Sequence, residues 1–378
     1  MKKLLASVLS LAMTATMFVG AASADAGTVK IGMTGPLTGG AAVYGTCVAR
    51  SAQIAVDEVN ALGGLQFELN CQDDEHDAEK AVSAYNALKD WGMQMLCGTT
   101  TTKPCLAVGP LANEDRIFMV TPSASAVDVA YTGDNVFQVC FTDPMQGTVS
   151  AEVIAEKGLD SKVGVIYDSS DVYSTGILET FVEEAEQKGL DVVCTEAFTG
   201  DTKADLSTQV TKCKEAGADL VFLPIYYTEA SSILSYANQI GYKPVFFGVD
   251  GMDGILDVEG FDTSLANGLY MLTPFAADSK DERTAAFVAK YKELYNETPN
   301  QFGADAYDVI WAMYQACNAA GIDGSESNEE ICAKMIEQFT TMTYDGITGA
   351  GMTWDEDGFV SKAGSIVVIQ DGAYVSVD

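Results

Sequence analysis

The sequence predicts an α/β protein made of two doubly wound lobes, each a parallel sheet covered by helices on both faces. Three observations lead there. Short strand-like runs alternate with helical patterns about 10 to 15 residues long, the rhythm of parallel sheets buried on both sides. That rhythm lapses and restarts at Lys162, in the run KVGVIYD. The 378 residues are also enough for roughly two domains of about 150 residues each.

The elements follow in order. Residues 28–33 (TVKIGM) read as a buried strand, followed by a glycine-rich turn and a helix over 46–62 with Val48, Ala52, Ala55, Val56 and Val59 on one face. Gly63-Gly64 stops that helix. A strand over 67–71, a helix over 78–91, a strand over 93–97, a helix opened by Lys103-Pro104 and a strand from Ile117 complete the first run. The second run has strands over 162–168, 190–194, 219–223 and 244–248, with helices over 175–188, 204–216 and 229–240 between them. A strand over 269–272, helices over 283–295, 305–320 and 328–339, and a hairpin turning at Asp355-Glu356-Asp357-Gly358 follow. Pro- or Gly-marked points near 141–144, 272–274 and 344–346 are the candidate passages between lobes.

Composition narrows the function. Against 54 acidic residues stand 21 lysines and arginines, for a formal charge of −33, so nucleic acid and anionic membrane are poor partners. The one histidine, His76, would have to carry any Ser-His or Cys-His chemistry, and an anion clamp has only Arg50, Arg116 and Arg283 to draw on. The start reads as an export signal: Lys2 and Lys3, an apolar run over 4–19, and Ala22-Ser23-Ala24 before the expected cut. Removing those 24 residues takes the charge to −35, and no cysteine precedes Cys47 to carry a lipid. The mature chain is expected to be soluble, in the periplasm or secreted. Its nine cysteines are an odd number; Cys194 with Cys213, and Cys317 with Cys332, are the pairs that consecutive elements could bring together.

In open parallel sheets ligands sit beyond the carboxyl ends of the strands. There the chain is rich in hydroxyls: Thr99 to Thr102 before a helix start, Thr121-Pro122-Ser123-Ala124-Ser125, and the run around Tyr173. Helix N–H groups with threonine hydroxyls suit a carboxylate, although ordinary capping accounts equally for the first run alone. Asp250, just past an apolar strand, suits an ammonium; alone it would be a turn aspartate. The acidic cluster at 73–77 reads as a solvated turn with a helix cap rather than a metal site. Asp355-x-Asp357-Gly358 lacks the glutamate of a calcium loop, with Ile366 in its place. No dinucleotide fingerprint, phosphate loop or nucleophile elbow is present, and no catalytic apparatus or cofactor motif is nominated.

These residues resemble a family. VKIGMTGPLTGGAAVYG, IAVDEVNALGG, QDDEHDAEKAV, GTTTTKP, TPSASAVDV, VGVIYDSSDVYSTG, ADLVFLPIYYTEASSIL and VFFGVDG, in that order, resemble type I substrate-binding proteins of ABC transporters, above all the leucine/isoleucine/valine-binding group. The resemblance implies the type I periplasmic binding protein fold, two lobes joined by a three-strand hinge: residues 25–141 with 274–347, and 142–273 with 348–378. It implies a monomer that closes on an amino acid, performs no reaction, and delivers its ligand to a membrane permease. Carried over position by position, Thr99 and Ser125 bind the ligand carboxylate, and the Ser123 carbonyl and Asp250 hold the amino group. Tyr173 and Tyr226 close from the second lobe, while Tyr44 and Phe302 wall the side-chain pocket. The family commonly has glutamate at the position of Asp250, which implies a longer or water-bridged amine contact here. The disulfide of the leucine/isoleucine/valine-binding protein falls on His76 and Gly98 and is therefore missing; Cys71 and Cys97 lie nearby in sequence. The other readings are a binder of an amide or aromatic acid in the same fold, or an extracellular sensor.

Overall fold

The computed structural model describes residues 27–159 and 162–377. The expected export signal lies outside them. In chain order the first lobe runs β1 (Thr28–Gly35), α1 (Ala42–Ala61), β2 (Gln66–Asp73), α2 (Ala78–Trp91), β3 (Met95–Cys97), α3 (Thr102–Glu114), β4 (Phe118–Thr121), α4 (Val127–Ala130) and β5 (Val136–Gln138). The second lobe opens with α5 (Asp143–Lys157) and continues β6 (Lys162–Asp168), α6 (Val172–Lys188), β7 (Asp191–Phe198), α7 (Ser207–Glu215), β8 (Leu220–Leu223), α8 (Tyr227–Gln239), β9 (Val245–Gly248) and β10 (Tyr270–Thr273). Then α9 (Glu282–Tyr295), α10 (Gln301–Ala320) and α11 (Asn328–Phe339) return to the first lobe, α10 lying along α1 and α11 against β4. β11 (Ser365–Gln370) and β12 (Ala373–Ser376) end in the second.

The first sheet is wholly parallel in the order β2-β1-β3-β4-β5. The second is β12-β11-β10-β9-β8-β6-β7, and its β7-β6-β8-β9-β10 portion repeats the first sheet's topology. β11 and β12 add to it antiparallel. Each sheet reverses strand order beside its first strand, and the two switch points face one cleft. Among the described residues no helix is long and apolar enough to cross a membrane.

Capping explains why some boundaries are sharp. α2 begins where the Asp77 carboxylate accepts from the Glu79 and Lys80 N–H groups, each at 3.0 Å, and ends on Gly92 in the left-handed conformation. The acidic turn before it therefore includes the expected cap. Several helix starts depart from expectation, among them α10, which begins at Gln301 rather than residue 305, and α6, at Val172 rather than 175. α1 starts at Ala42 rather than residue 46, which puts Tyr44 in its first turn. α5, read from sequence only as a passage, is a 15-residue helix. Pro144 sits in its first turn, where proline costs nothing, and Gly147 lies where α6 crosses so closely that a Cβ would come within 2.4 Å of the Ile177 carbonyl.

Strands of chain pass between the lobes at 139–142 and 274–281. Residues 348–360, expected in the second lobe, instead lie against the first: the Trp354 indole donates to the Gln138 carbonyl at 2.8 Å, and Gln138 N–H donates to the Gly358 carbonyl at 3.0 Å. We therefore assign the third passage to 361–364. Gly358 has φ +87°, and a Cβ there would meet the Val136 carbonyl at 2.5 Å. At this passage Lys362 is buried, pairing with Asp305 of α10 at 2.5 Å and donating to the Thr348 hydroxyl at 2.6 Å. Burial holds the Asp305 carboxyl up at about 7 even with this ammonium beside it.

All nine cysteines are thiols. Cys194 and Cys213 do meet, with sulfurs 3.0 Å apart between β7 and α7. Cys317 and Cys332 do not: the Cys317 sulfur lies 3.7 Å from that of Met335, while Cys332 faces Arg116 and Asp134. Cys71 and Cys97 both register with Met33 from opposite sides of β1, about 10 Å apart at two strand spacings, too far for a bridge.

Two predictions follow from this packing. Mild oxidation will close Cys194–Cys213, leaving seven titratable thiols of nine in the denatured protein and stabilising the fold by about 3 kcal/mol for a loop of this size. Nine thiols after oxidation contradict it. Lys362→Met, which strands a buried carboxylate, will cost about 3–5 kcal/mol in urea unfolding, most of it restored by adding Asp305→Leu.

Candidate functional site

The strand ends of both sheets frame a narrow cleft with about 230 Å³ of empty space. Tyr44, Ser123, Tyr173, Tyr226, Asp250 and Phe302 all line it, joined by Thr100, Thr101, Thr102 and Gly251. Six of the eight residues expected from sequence thus share one wall space. Thr99 and Ser125 lie directly behind it, fully buried. The Thr99 hydroxyl donates to the Thr101 carbonyl at 3.1 Å and its own carbonyl accepts from Thr121 at 2.6 Å, so this side chain shapes the loop. Its neighbours Thr100 to Thr102 face the cleft.

Asp250 sits just past β9 and is 3% exposed. Its Oδ1 accepts from the Tyr173 phenol at 2.6 Å and from Gly251 N–H at 2.7 Å, while its own N–H donates to Gln146 Oε1 at 3.0 Å. Burial pushes the carboxyl up to about 6; Tyr173, Gly251 and Gln146 pull the other way. Gly251 is required sterically, since a Cβ would come 2.5 Å from the Tyr173 oxygen. Burial also raises the phenols of Tyr44, Tyr173 and Tyr226, which remain neutral hydrogen-bond donors.

Across the cleft, α3 points its N-terminus inward. Thr101 occupies the cap position, yet its hydroxyl makes no capping bond and lies 2.9 Å from His76 Nδ1. The first-turn N–H groups of α3 are thereby left uncapped by side chains, an arrangement suited to an anion. Aromatic rings form the remaining walls: Tyr44 packs edge-on to Phe302 at 4.5 Å and to Tyr226 at 5.9 Å, and Tyr226 stacks on Tyr173 at 4.9 Å.

The lobes touch around this space. Tyr44 donates to the Gly251 carbonyl at 2.5 Å, Thr228 to the Gly40 carbonyl at 2.8 Å, and Gln301 N–H to Asp253 at 2.8 Å. Beyond Tyr226 a mouth of about 660 Å³ opens, with His76 and Lys103 on one side and Asp171 and Lys203 on the other. His76 packs its ring against Tyr226 at 5.4 Å; burial, Lys203 and Lys103 push it down to about 4, so it is neutral near pH 7. The arginines sit elsewhere, on Glu297, Asp134 and the Asp345 carbonyl.

Sequence reasoning missed His76 as an interlobe contact and Asp143 altogether. Asp143, the first residue of α5, is buried with neither carboxylate oxygen hydrogen-bonded. An Asp-Pro pair reads as a turn, and only tertiary structure shows that this one is dry.

A family model described as "Periplasmic binding protein" matches residues 28–373. The chain is 30% identical over 335 residues to "Leu/Ile/Val-binding protein homolog 3" of Brucella melitensis, covering 88% of this chain and 87% of that protein. It is 27% identical over 340 residues to the "Leucine-, isoleucine-, valine-, threonine-, and alanine-binding protein" of Pseudomonas aeruginosa, covering 89% and 88%. Among solved structures, the branched-chain amino acid transporter substrate binding protein LivJ of Streptococcus pneumoniae, in complex with isoleucine, superposes with a TM-score of 0.83 at 27% identity, covering 93% of this chain and 100% of that one. With its repeated switch-point topology and interlobe cleft, the chain belongs to the periplasmic binding protein family, in its leucine/isoleucine/valine-binding group.

Proposed function

We propose that this protein captures a neutral amino acid with an apolar, branched side chain between its lobes and delivers it to an ABC importer. The observation that carries this reading is Asp250. Its carboxylate lies at the cleft with only neutral donors on Oδ1, opposite the uncapped start of α3. An α-amino acid presents matching charges, an ammonium toward Asp250 and a carboxylate toward the helix N-terminus. Tyr44, Phe302 and Tyr226 then enclose an aliphatic side chain.

Thr99 acts in this reading through the loop it holds, and Thr100 to Thr102 present the contacts. Ser125 contributes its buried, unpartnered hydroxyl to the carboxylate end. Ser123 lines the amino end with Asp250. Export to the periplasm or beyond, work as a monomer, and a membrane permease as partner complete the proposal. The relatives bear names of binding proteins, in keeping with capture and release without turnover.

A thermal-shift screen of the twenty amino acids will show the largest rise in melting temperature with leucine, isoleucine or valine, because a ligand bound only by the folded state stabilises it. In calorimetry Asp250→Ala will weaken that binding by about 10- to 100-fold, the value of roughly 1.5–3 kcal/mol for a charged hydrogen bond. Unchanged affinity removes Asp250 from the site.

A further inference from the structure

Asp143 is the one described carboxylate with both oxygens buried and unpartnered. It has company. The Ser125 hydroxyl and Gln146 Nε2 are buried and unpartnered as well, so four orphaned polar atoms gather at the head of α5. Their backbone anchors place them beside the cleft. Asp143 N–H donates to the Ser125 carbonyl at 3.0 Å, bridging the two lobes, and Gln146, one turn along, accepts the Asp250 N–H at 3.0 Å. α6 covers the outer side, where a Cβ on Gly176 would touch the Asp143 carboxyl at 3.6 Å. An unpaired buried polar group forfeits its hydration with nothing in return, and a functional site is where such a cost persists.

The charges around Asp143 have one sign. Asp250 past β9, Asp171 at the head of α6 and Asp128 on α4 all face it, together with the neutral thiol of Cys140 and phenol of Tyr226. Ser125 Oγ is close enough to favour the ionised form without completing a hydrogen bond. Lys362, which acts on neighbouring Cys140, is committed to Asp305. Among the described residues, none of the groups acting on Asp143 or Asp250 is a cation.

We infer that Asp143 is a second acid of the amino-group subsite, paired with Asp250, and that the pair holds a proton in the ligand-free protein which it gives up to solvent when the ligand's ammonium enters. This rests on reading the cleft as an amino-acid site, and deepens it: the pair selects ligands with an α-ammonium and repels carboxylic acids that lack one. Two carboxylates in a dry site do not both ionise without a positive charge between them. Burial holds Asp143 well above the ordinary carboxylate range and Asp250 at about 6, so the ligand-free pair is part-protonated at mildly acid pH. A bound ammonium lowers both. Between the free and bound titrations binding expels a proton, so affinity rises with pH, at most tenfold per pH unit for one proton, and levels off above the free pair's titration.

The test uses the whole mature protein in two arms. Carbon-13 carboxyl shifts of the ligand-free protein will show Asp143 titrating well above the ordinary carboxylate range; titration within that range overturns the pair. Calorimetry with L-leucine at pH 6, in two buffers of different ionisation enthalpy, will show net proton release. Asp143→Asn, which keeps shape, will reduce that release, leaving only the part that Asp250 alone supplies, and will shallow the pH profile of the affinity; release unchanged from the wild type overturns the role of Asp143. Should the variant fail to fold, the wild-type proton count alone decides. Leucine binding without proton release overturns the coupling. An absence of leucine binding with Asp143 still titrating high overturns the amino-acid reading and the ammonium's role with it, and so separates that failure from failure of the pair. Benzoate and 3-methylbutanoate, which lack the ammonium, will not bind; if either binds as leucine does, the selectivity is wrong.

Discussion

The cleft answers to one constraint: the carboxylate of Asp250 is buried where none of the described residues supplies a cation. Its Oδ1 is held by a phenol at 2.6 Å and an N–H at 2.7 Å, dipoles that orient it without neutralising it. Had an arginine stood there, the site would be satisfied in isolation and indifferent to an incoming ammonium. Leaving charge unbalanced but well oriented keeps the interaction energy for the ligand. The same logic places Gly251, because any side chain there would displace the Tyr173 hydroxyl that aims the carboxylate.

The repeated topology explains how such a site forms at a junction. Each sheet reverses strand order once, next to β1 in one and β6 in the other, and the loops diverging there leave a crevice. Facing crevices supply opposite chemistries: threonines and a helix N-terminus from the first lobe, tyrosines and Asp250 from the second. Closure is held by few polar contacts, among them Tyr44 to Gly251 and Thr228 to Gly40. A handful of bonds of about 1 kcal/mol each is a modest barrier, which suits lobes that must part again to release a ligand.

How much of this was legible in the sequence depended on how local each signal was. α2 was read to the residue because Asp77 and Gly92 mark its ends. α5 was not, because its glycine and proline are chosen by a neighbour: Gly147 by the approach of α6, and Pro144 by the turn leading out of the first lobe. Six of the expected residues line the cleft because hydroxyls, aromatics and one acid lie at strand ends, where the topology gathers them. Thr99 lies behind that wall because its hydroxyl bonds the Thr101 carbonyl, a local loop contact that strand-end composition does not reveal. The passage at 361–364 stayed hidden because what ties 348–360 to the first lobe is the bonding of Trp354 and Gly358 to β5, a contact more than two hundred residues apart in sequence.

The large negative charge and the scarcity of arginine become informative once the buried acids are compared. Asp308 forms no direct ion pair, although Arg283 lies within electrostatic reach, and is satisfied by the Ile347 and Thr348 N–H groups, the Thr348 hydroxyl and the Tyr344 phenol. Asp253 takes the Gln301 N–H, and Asp305 takes Lys362. The fold thus handles these three buried carboxylates chiefly with dipoles and leaves none of their oxygens buried and bare. Asp74 falls short by one oxygen and Asp143 by both. A chain that can satisfy Asp308 with four donors could have done the same at the head of α5. That it leaves Asp143 bare beside Asp250 locates the missing positive charge outside the protein, on the molecule the cleft is shaped to hold.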